Sequence, residues 1–396
     1  MVVNKFDGET IEIGCSEVQE TEIKNDADIN EKYLSGEVRI VTEQARYPLD
    51  SITNMLSTKK YELRPDFQRR RRWNRSQQSR LIESFIMNIP IPPIFLYEYD
   101  YSKYEVMDGL QRLTAIKEYY EGAYPLEGLE YWKELNGRFY NDLPEDVKAG
   151  IDRRYLSSVI LLKETADTKE KADKLKQLVF DRINSGGAKL EYQESRNALY
   201  PGKFMDLAMS LSEDSYFRHI FGIPTDPSVD TEEESEDLAN NKLYKTMGDV
   251  ELVIRFFATR FLDSFEGITL RTFLDKFTDS ANKLPDSVLK KYSDLFKKTI
   301  KLAFDIYGDF AFRLYKDGKQ SVSPVKILYD PVMAVLSQRV DNSVVLLNKK
   351  EKIIEQTKKI MSEKPELFNG RNTSKNNIED RIVVFDEMLK TIEKDE

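Results

Sequence analysis

Cysteine and histidine are almost missing from this chain of 396 residues, which has one of each, Cys15 and His219. A lone cysteine forms no internal disulfide, and the two residues together cannot furnish a Cys/His zinc cage. One histidine also removes most Ser-His-Asp and Cys-His chemistry, because any such site would have to use His219. Its surroundings, Tyr216-Phe217-Arg218-His219-Ile220-Phe221, carry no nucleophile signature, so it reads as a structural or surface residue. No apolar run approaches the roughly 20 residues of a membrane-spanning helix. The start, Met1 to Asp7, lacks the apolar core of a signal peptide, so no membrane association and a cytoplasmic location are expected. There is no G-x-x-x-x-G-K-[ST] run, which excludes a Walker-type nucleotide site. Positive charge is also short: a net charge of −9 argues against a surface coated for indiscriminate DNA wrapping.

What is present is ordinary for a globular protein, 40% hydrophobic and 33% charged residues over a length that suits two domains. Residues 1–36 read as a polar lead-in with a short strand or two. Residues 37–200 mix strand and helix signals, and 201–396 read as a helix bundle interrupted by an acidic loop near 226–241, with Thr231-Glu232-Glu233-Glu234-Ser235-Glu236-Asp237 at its centre. The expected fold class is therefore α+β. A helix opens at Pro48-Leu49-Asp50-Ser51, with Asp50 or Ser51 as its N-cap. Asn74 caps a helix to about Asn88, whose Leu81, Ile82, Phe85 and Ile86 form an apolar stripe while Arg75 and Arg80 stay available on other faces. Ile94 to Tyr99 and Tyr104 to Met107 read as a hairpin, Tyr155 to Leu162 as a strand, and Lys169 to Ile183 as a helix.

Three segments carry the chemistry. Tyr104-Glu105-Val106-Met107-Asp108-Gly109-Leu110-Gln111-Arg112 reads as a strand, an Asp-Gly turn and a helix start, where unpaired N–H groups and the helix dipole favour an anion. Gly109 would admit a ligand to the backbone, and Arg112 would add a fork of charged donors. Arg64-Pro65-Asp66-Phe67-Gln68-Arg69-Arg70-Arg71-Arg72-Trp73 concentrates guanidinium charge, enough with Arg75 and Arg80 for a local basic groove. Asn184-Ser185-Gly186-Gly187 breaks a helix. Each has a plainer reading: an ordinary turn, a solvated charged loop, a helix C-cap. Trp73 reads as a packing residue.

Together, and with Pro90-Ile91-Pro92-Pro93 between the first two in the chain, these segments resemble the "domain of unknown function 262" family, related to the N-terminal part of the GmrSD modification-dependent restriction enzymes and to SspE phage-defence proteins. The matching positions are Pro65, Gln68, Arg69, Trp73, Pro90, Pro92, Asp108, Gly109, Gln111, Arg112, Asn184, Gly186 and Gly187. The resemblance implies a small mixed-sheet ParB/sulfiredoxin-like nucleotide-binding domain over 37–200 and a mostly helical domain over 201–396. It also implies a nucleoside triphosphate and Mg²⁺ as cofactors, held by Gln68, Gly109, Gln111, Asn184, Gly186 and Gly187. Asp108 would position Mg²⁺ or the attacking water, Arg112 would hold phosphates, and Arg69 would offset charge as the phosphoryl group moves. Leu110 stands where many relatives have glutamine, and its place suits a core residue.

The reading that follows is a non-Walker nucleoside triphosphatase of a phage-defence or modification-dependent restriction system, with DNA as partner. An HNH-type nuclease domain needs several histidines, so none is expected here, which leaves room for a separate nuclease subunit as a partner. Phosphoryl transfer suits this residue set, since it asks for positioning, a metal and guanidinium charge. Two alternatives stand beside it: a DNA-binding sensor without turnover, and a metal-dependent nuclease or nickase using carboxylates of the helical half.

Overall fold

Five strands form one mixed sheet in the computed structural model: β1 Thr42–Pro48, β2 Tyr61–Glu62, β3 Ile94–Asp100, β4 Lys103–Asp108 and β5 Tyr155–Leu161, in the order β1-β5-β3-β4-β2. The structure describes residues 5–13, 25–34, 40–63, 73–165, 169–184, 192–225, 236–316, 318–368 and 374–394. The chain divides into two units, one of residues 19–190 and one of 1–18 with 191–396. The fold class is α+β, with the small sheet in the N-terminal region and helices after it.

The β-rich runs at 94 and 104 make the predicted hairpin, β3 antiparallel to β4 with Leu96 opposite Val106 and Tyr97 opposite Glu105. β5 joins β3 in parallel and β1 antiparallel, while β2 extends β4 in parallel. Helix α1 (Asp26–Leu34) precedes the sheet, with Tyr33 and Leu34 exposed. One face of the sheet, with Ile94, Leu96, Val106, Leu156 and Ile160, buries into a core shared with α2 (Leu49–Ser57), α3 (Arg75–Ile86), α4 (Leu110–Tyr120) and α5 (Glu145–Asp152). The opposite face holds Tyr97, Glu105, Met107 and Leu161, since successive strand residues point to opposite sides. There α6 (Lys169–Asn184) meets β4: Lys176 Nζ reaches the buried Glu105 carboxylate at 2.6 Å and lies over the Tyr97 ring. A sheet with helices on both sides leaves little room for polar residues except as such pairs.

Local chemistry explains the helix starts. Asn74 caps α3 in a reciprocal capping box: its side chain accepts from the Gln77 N–H while the Gln77 side chain accepts from the Asn74 N–H. At α2 the structure differs from expectation. Pro48 is the N-cap and neither Asp50 nor Ser51 caps the helix; Ser51 Oγ instead donates back to the Pro48 carbonyl at 2.7 Å. A proline cap has no side-chain acceptor, but its restricted φ enters the helix readily.

The irregular 121–153 stretch is held by polar groups of α3 and α4. Glu83, only 3% exposed, accepts from the Tyr131 and Trp132 N–H groups at 2.8 and 2.9 Å. Ser79 accepts from the Glu127 N–H, and Asp152 accepts the hydroxyls of Tyr120 and Tyr140.

In the other unit the long helices Gly248–Ala258, Asp286–Tyr307, Lys326–Ser337 and Lys375–Lys394 share one large apolar core. Its centre is aromatic, with Phe257 stacked on Tyr292 at 4.3 Å between centroids. A two-strand ribbon, Tyr315–Lys316 with Lys319–Gln320, is the exception to the helical reading. Residues 5–13 also belong here: Glu9 is buried against Arg260 and Tyr292. Among the described residues no helix is long and apolar enough to cross a membrane.

Candidate functional site

β4 ends at Asp108, and the chain must then turn sharply to start α4. Gly109 makes that turn with φ 98° and ψ 10°, the left-handed region in which residues with a side chain are strained. Its bare α-carbon is needed for a second reason: a Cβ there would collide with the Ile94 side chain of β3. The glycine is thus demanded from inside the protein, by backbone conformation and by strand packing, rather than by the approach of a ligand.

With Gly109 as N-cap, α4 has no side-chain cap, and its first internal bond runs from the Leu113 N–H to the Gly109 carbonyl at 3.0 Å. The N–H groups of Leu110, Gln111 and Arg112 precede that bond. They and the aligned peptide dipoles make this end of α4 partially positive. Leu110 is buried in the core, as its place in the motif suggested.

Arg112 does not reach outward as a free fork. Its Nη2 donates to Asp108 Oδ2 at 2.7 Å, and its Nη1 donates to the carbonyls of Pro92 and Pro93. The cause is local: proline has no N–H, so the Pro-x-Pro segment forms no complete ladder and its carbonyls take a donor from elsewhere. The guanidinium therefore clasps the entry to β3 onto the Asp-Gly turn, and its charge is offset by Asp108. Arg112 is thus held within the turn rather than extended toward solvent. Asp108 remains about one-third exposed, its side chain at 36%, and its Oδ1 has no hydrogen-bond partner among the described residues.

Gln111 is engaged as well. Its Oε1 accepts the Trp73 N–H at 3.0 Å, next to the Asn74 capping box. Trp73 packs against the core, in line with its reading as a packing residue. This anchor ties the residue that follows the arginine-rich stretch to the first turn of α4. The carbonyl partners of Arg112, the Ile94 contact and the Trp73 anchor were all missed by sequence reasoning; the signal available was the fixed company of Pro92, Trp73 and Gln111 in one motif set.

Asp108, Gly109, Gln111 and Arg112 are thus brought together, with Pro92, Pro93 and Trp73. Gln68 and Arg69, like Pro65, lie outside the described residues, as do Gly186 and Gly187; Asn184 is the last residue of α6. The expected basic groove changes in two places. Arg75 is held by Glu118 at 2.9 Å and stacks on the Tyr124 ring, and Arg80 pairs with Glu130 at 3.1 Å. Both are neutralised by carboxylates that the helical wheel of α3 does not show. His219 lies on the surface, with Nε2 2.7 Å from Asp309 Oδ1 and its ring edge-on to Phe304.

Among the described residues no group of three or more His, Cys, Asp or Glu side chains is placed to hold a metal ion. Asp108 alone offers an open carboxylate oxygen at the turn. That fits Mg²⁺, which keeps much of its water and commonly takes one or two carboxylates plus substrate phosphates.

Residues 52–201 match the family model of the GmrSD restriction endonuclease, N-terminal domain. No curated protein and no solved structure gives a significant match to the chain.

Proposed function

We propose, from the match of residues 52–201 to the family model of the GmrSD restriction endonuclease N-terminal domain, that the chain binds and hydrolyses a nucleoside triphosphate within a restriction-type phage-defence system acting on DNA. One observation supports the reading above the others: the left-handed Gly109 opens the N-terminus of α4 beside Asp108, and Gln111 tethers the end of the arginine-rich segment to the same turn. The N–H groups of Leu110, Gln111 and Arg112 then meet a phosphate, and Arg69 with the other arginines of the 64–72 segment supplies positive charge.

In this reading the residues divide the work. Arg112 is a positioning residue that keeps Asp108 and the Pro92-Pro93 segment in register. Asp108 would hold Mg²⁺, which would supply positive charge to offset that on the phosphate oxygens. Water attacks the terminal phosphorus, the bond to the bridging oxygen breaks, and inorganic phosphate and the diphosphate leave, with the proton released to solvent. Cleavage of DNA is assigned to a separate nuclease subunit, and the coupling of nucleotide to DNA to this chain.

The test is phosphate release from ATP, GTP and CTP with Mg²⁺, with and without DNA. Asp108→Asn should abolish release while nucleotide still binds. Absence of nucleotide binding by the wild-type chain at millimolar concentration would sink the proposal. A second reading is favoured by one observation, that Arg112 is already neutralised by Asp108 and so contributes little to a transition state. It is a nucleotide- or DNA-sensing module without turnover, and it predicts binding without phosphate release under every condition.

A further inference from the structure

Where the two-strand ribbon meets the helices of the helical unit there is a cavity of about 260 Å³, just below the usual range of small-molecule pockets. Gln320 of the ribbon lines it, with residues of the helices Asp286–Tyr307, Lys326–Ser337 and Lys350–Glu363 and of the segment 310–313. The wall is mostly apolar, with Phe310, Phe312, Leu328, Ile354 and Met361. Two cations, Arg313 and Lys358, share the lining, and among the described residues no carboxylate does. The hydroxyls of Tyr307 and Thr357, also in the lining, bond to each other at 3.0 Å.

The walls are held from several sides. Phe312 takes the left-handed conformation with φ 59°, rare for a bulky side chain, and is 3% exposed. Its ring meets Tyr329 at 5.1 Å and Phe221 at 5.9 Å, and its carbonyl accepts the Val325 N–H at 2.8 Å. Arg313 follows directly. The ribbon is fixed to the helix Lys350–Glu363, since the Tyr315 N–H donates to the Met361 sulfur at 3.3 Å and Lys358 lies over the Tyr315 ring at 5.3 Å.

Arg313 Nε is shielded from solvent and has no hydrogen-bond partner among the described residues, while the guanidinium lies 5.9 Å from the centre of the Phe310 ring. Among the described residues neither Arg313 nor Lys358 forms an ion pair. The carboxylates of the surrounding elements are engaged elsewhere, Asp305 by Lys301, Asp309 by His219, Asp330 by Arg255 and Glu363 by Lys359. Glu351 and Glu355 are exposed and outside the lining, and Asp317, between the ribbon strands in sequence, lies outside the described residues. A guanidinium kept from water without an acceptor is unfavourable, and a planar carboxylate is the acceptor that matches its fork.

We propose that this cavity binds a small carboxylate with an aromatic or branched apolar body. The apolar wall takes the body, and Arg313 with Lys358 takes the charge. One fork and one ammonium suit a single negative charge better than the two of a phosphate ester. The inference does not depend on the proposed nucleotide activity, since every lining residue belongs to the helical unit.

The experiment titrates the full chain with benzoate, its neutral counterpart benzamide, phenyl phosphate and acetate, read by the methionine methyl resonances. Met361 lines the cavity, and its signal is assigned with Met361→Leu. Benzoate should shift that signal saturably and bind at least tenfold tighter than benzamide, which lacks the charge, or acetate, which lacks the body. Arg313→Leu should weaken benzoate binding at least tenfold without lowering the thermal midpoint of the free protein, because it removes a guanidinium that has no partner. Lys358→Gln should weaken it severalfold, and it carries the comparison should Arg313→Leu fold poorly. Phenyl phosphate binding tighter than benzoate would assign the cavity to phosphate esters and overturn the proposal. So would the absence of a saturable Met361 shift with benzoate at millimolar concentration, equal binding of benzamide, or affinity unchanged in both variants. Binding that appears only in Asp317→Asn would make Asp317 the internal counter-ion and overturn it as well.

Discussion

The Trp73 N–H donates to Gln111 Oε1 at 3.0 Å, so the residue that follows the arginine-rich segment is fixed to the first turn of α4. A side-chain amide here takes the place of a backbone partner. It links two motif segments that are far apart in sequence, and it sets where the Arg64–Arg72 stretch must rejoin the fold. The same turn is clasped from the other side by Arg112 on Pro92 and Pro93. The Asp-Gly turn is therefore a junction of three chain segments before any ligand is considered.

Replacing the amide tests this junction. Gln111→Leu keeps the size of the side chain but leaves the Trp73 N–H without its acceptor, at a cost of about 1–2 kcal/mol. Urea melts should show a loss of that order. On the proposed activity, KM for nucleotide should rise more than kcat falls, because the substitution removes the link between Trp73 and the first turn of α4. An unchanged KM with an unchanged midpoint would mean that the anchor is dispensable.

Gly109→Ala tests the backbone. The left-handed conformation costs a non-glycine residue roughly 1–2 kcal/mol, and the new methyl group must also displace the Ile94 side chain. A total loss of about 2–4 kcal/mol is expected in the melting midpoint. Ile94→Ala should be destabilising alone, yet the double variant should be more stable than the sum of the two losses, because the collision is removed. Strict additivity in that cycle would show that φ, and not the Ile94 contact, is the whole effect.

Much of this was legible in the sequence, for identifiable reasons. The β3–β4 hairpin is written in aromatic and β-branched residues, and Asn74 with Gln77 writes the start of α3. β1 was not legible: Thr42-Glu43-Gln44-Ala45-Arg46-Tyr47-Pro48 is a largely exposed edge strand with no apolar alternation, and its pairing with β5 comes from sequence far away. The partners of Arg112 were not legible, because a guanidinium in a first helical turn looks the same whether it faces a phosphate or a proline carbonyl. That distinction depends on Pro92 and Pro93, which only the fold brings near. The partners of Arg75 and Arg80 were hidden likewise, since Glu118 and Glu130 approach from other segments.

Alkaline pH should unfold the protein through its tyrosines. Burial, helped by the shared acceptor Asp152, pushes the Tyr120 and Tyr140 hydroxyls well above their ordinary value; burial, partly offset by the hydrogen bond with Thr357, raises Tyr307 to about 12. In the unfolded chain such groups ionise near pH ~10. The folded form therefore keeps its protons longer, and the stability these groups contribute is intact below pH ~10 and lost as pH rises above it. Phenolate absorbance should show part of the 21 tyrosines titrating reversibly and the rest only as helicity is lost. Reversible titration of them all near the ordinary value, with the fold intact, would contradict the burial described here.

Glu9 supplies the last test, because it makes residues 5–13 part of the helical unit rather than a loose leader. Its two carboxylate oxygens take Arg260 Nε and Nη2 at 2.8 Å each, and the Tyr292 hydroxyl donates to Oε1 at 2.8 Å. The Phe6 N–H donates to the same carboxylate, and Arg260 lies over the Phe6 ring. The Glu9 side chain is 0% exposed and that of Arg260 6%, so water does not substitute for a missing partner. Glu9→Ala takes its carboxylate away from a buried guanidinium and should cost about 3–5 kcal/mol, whereas removing both charges with Glu9→Met and Arg260→Met should cost less than the single change. Deleting residues 1–13 should be at least as damaging as Glu9→Ala. Chemical denaturation of the full chain and the variants decides it: a deletion that leaves the transition of the helical unit unmoved would show that this segment adds nothing to its stability.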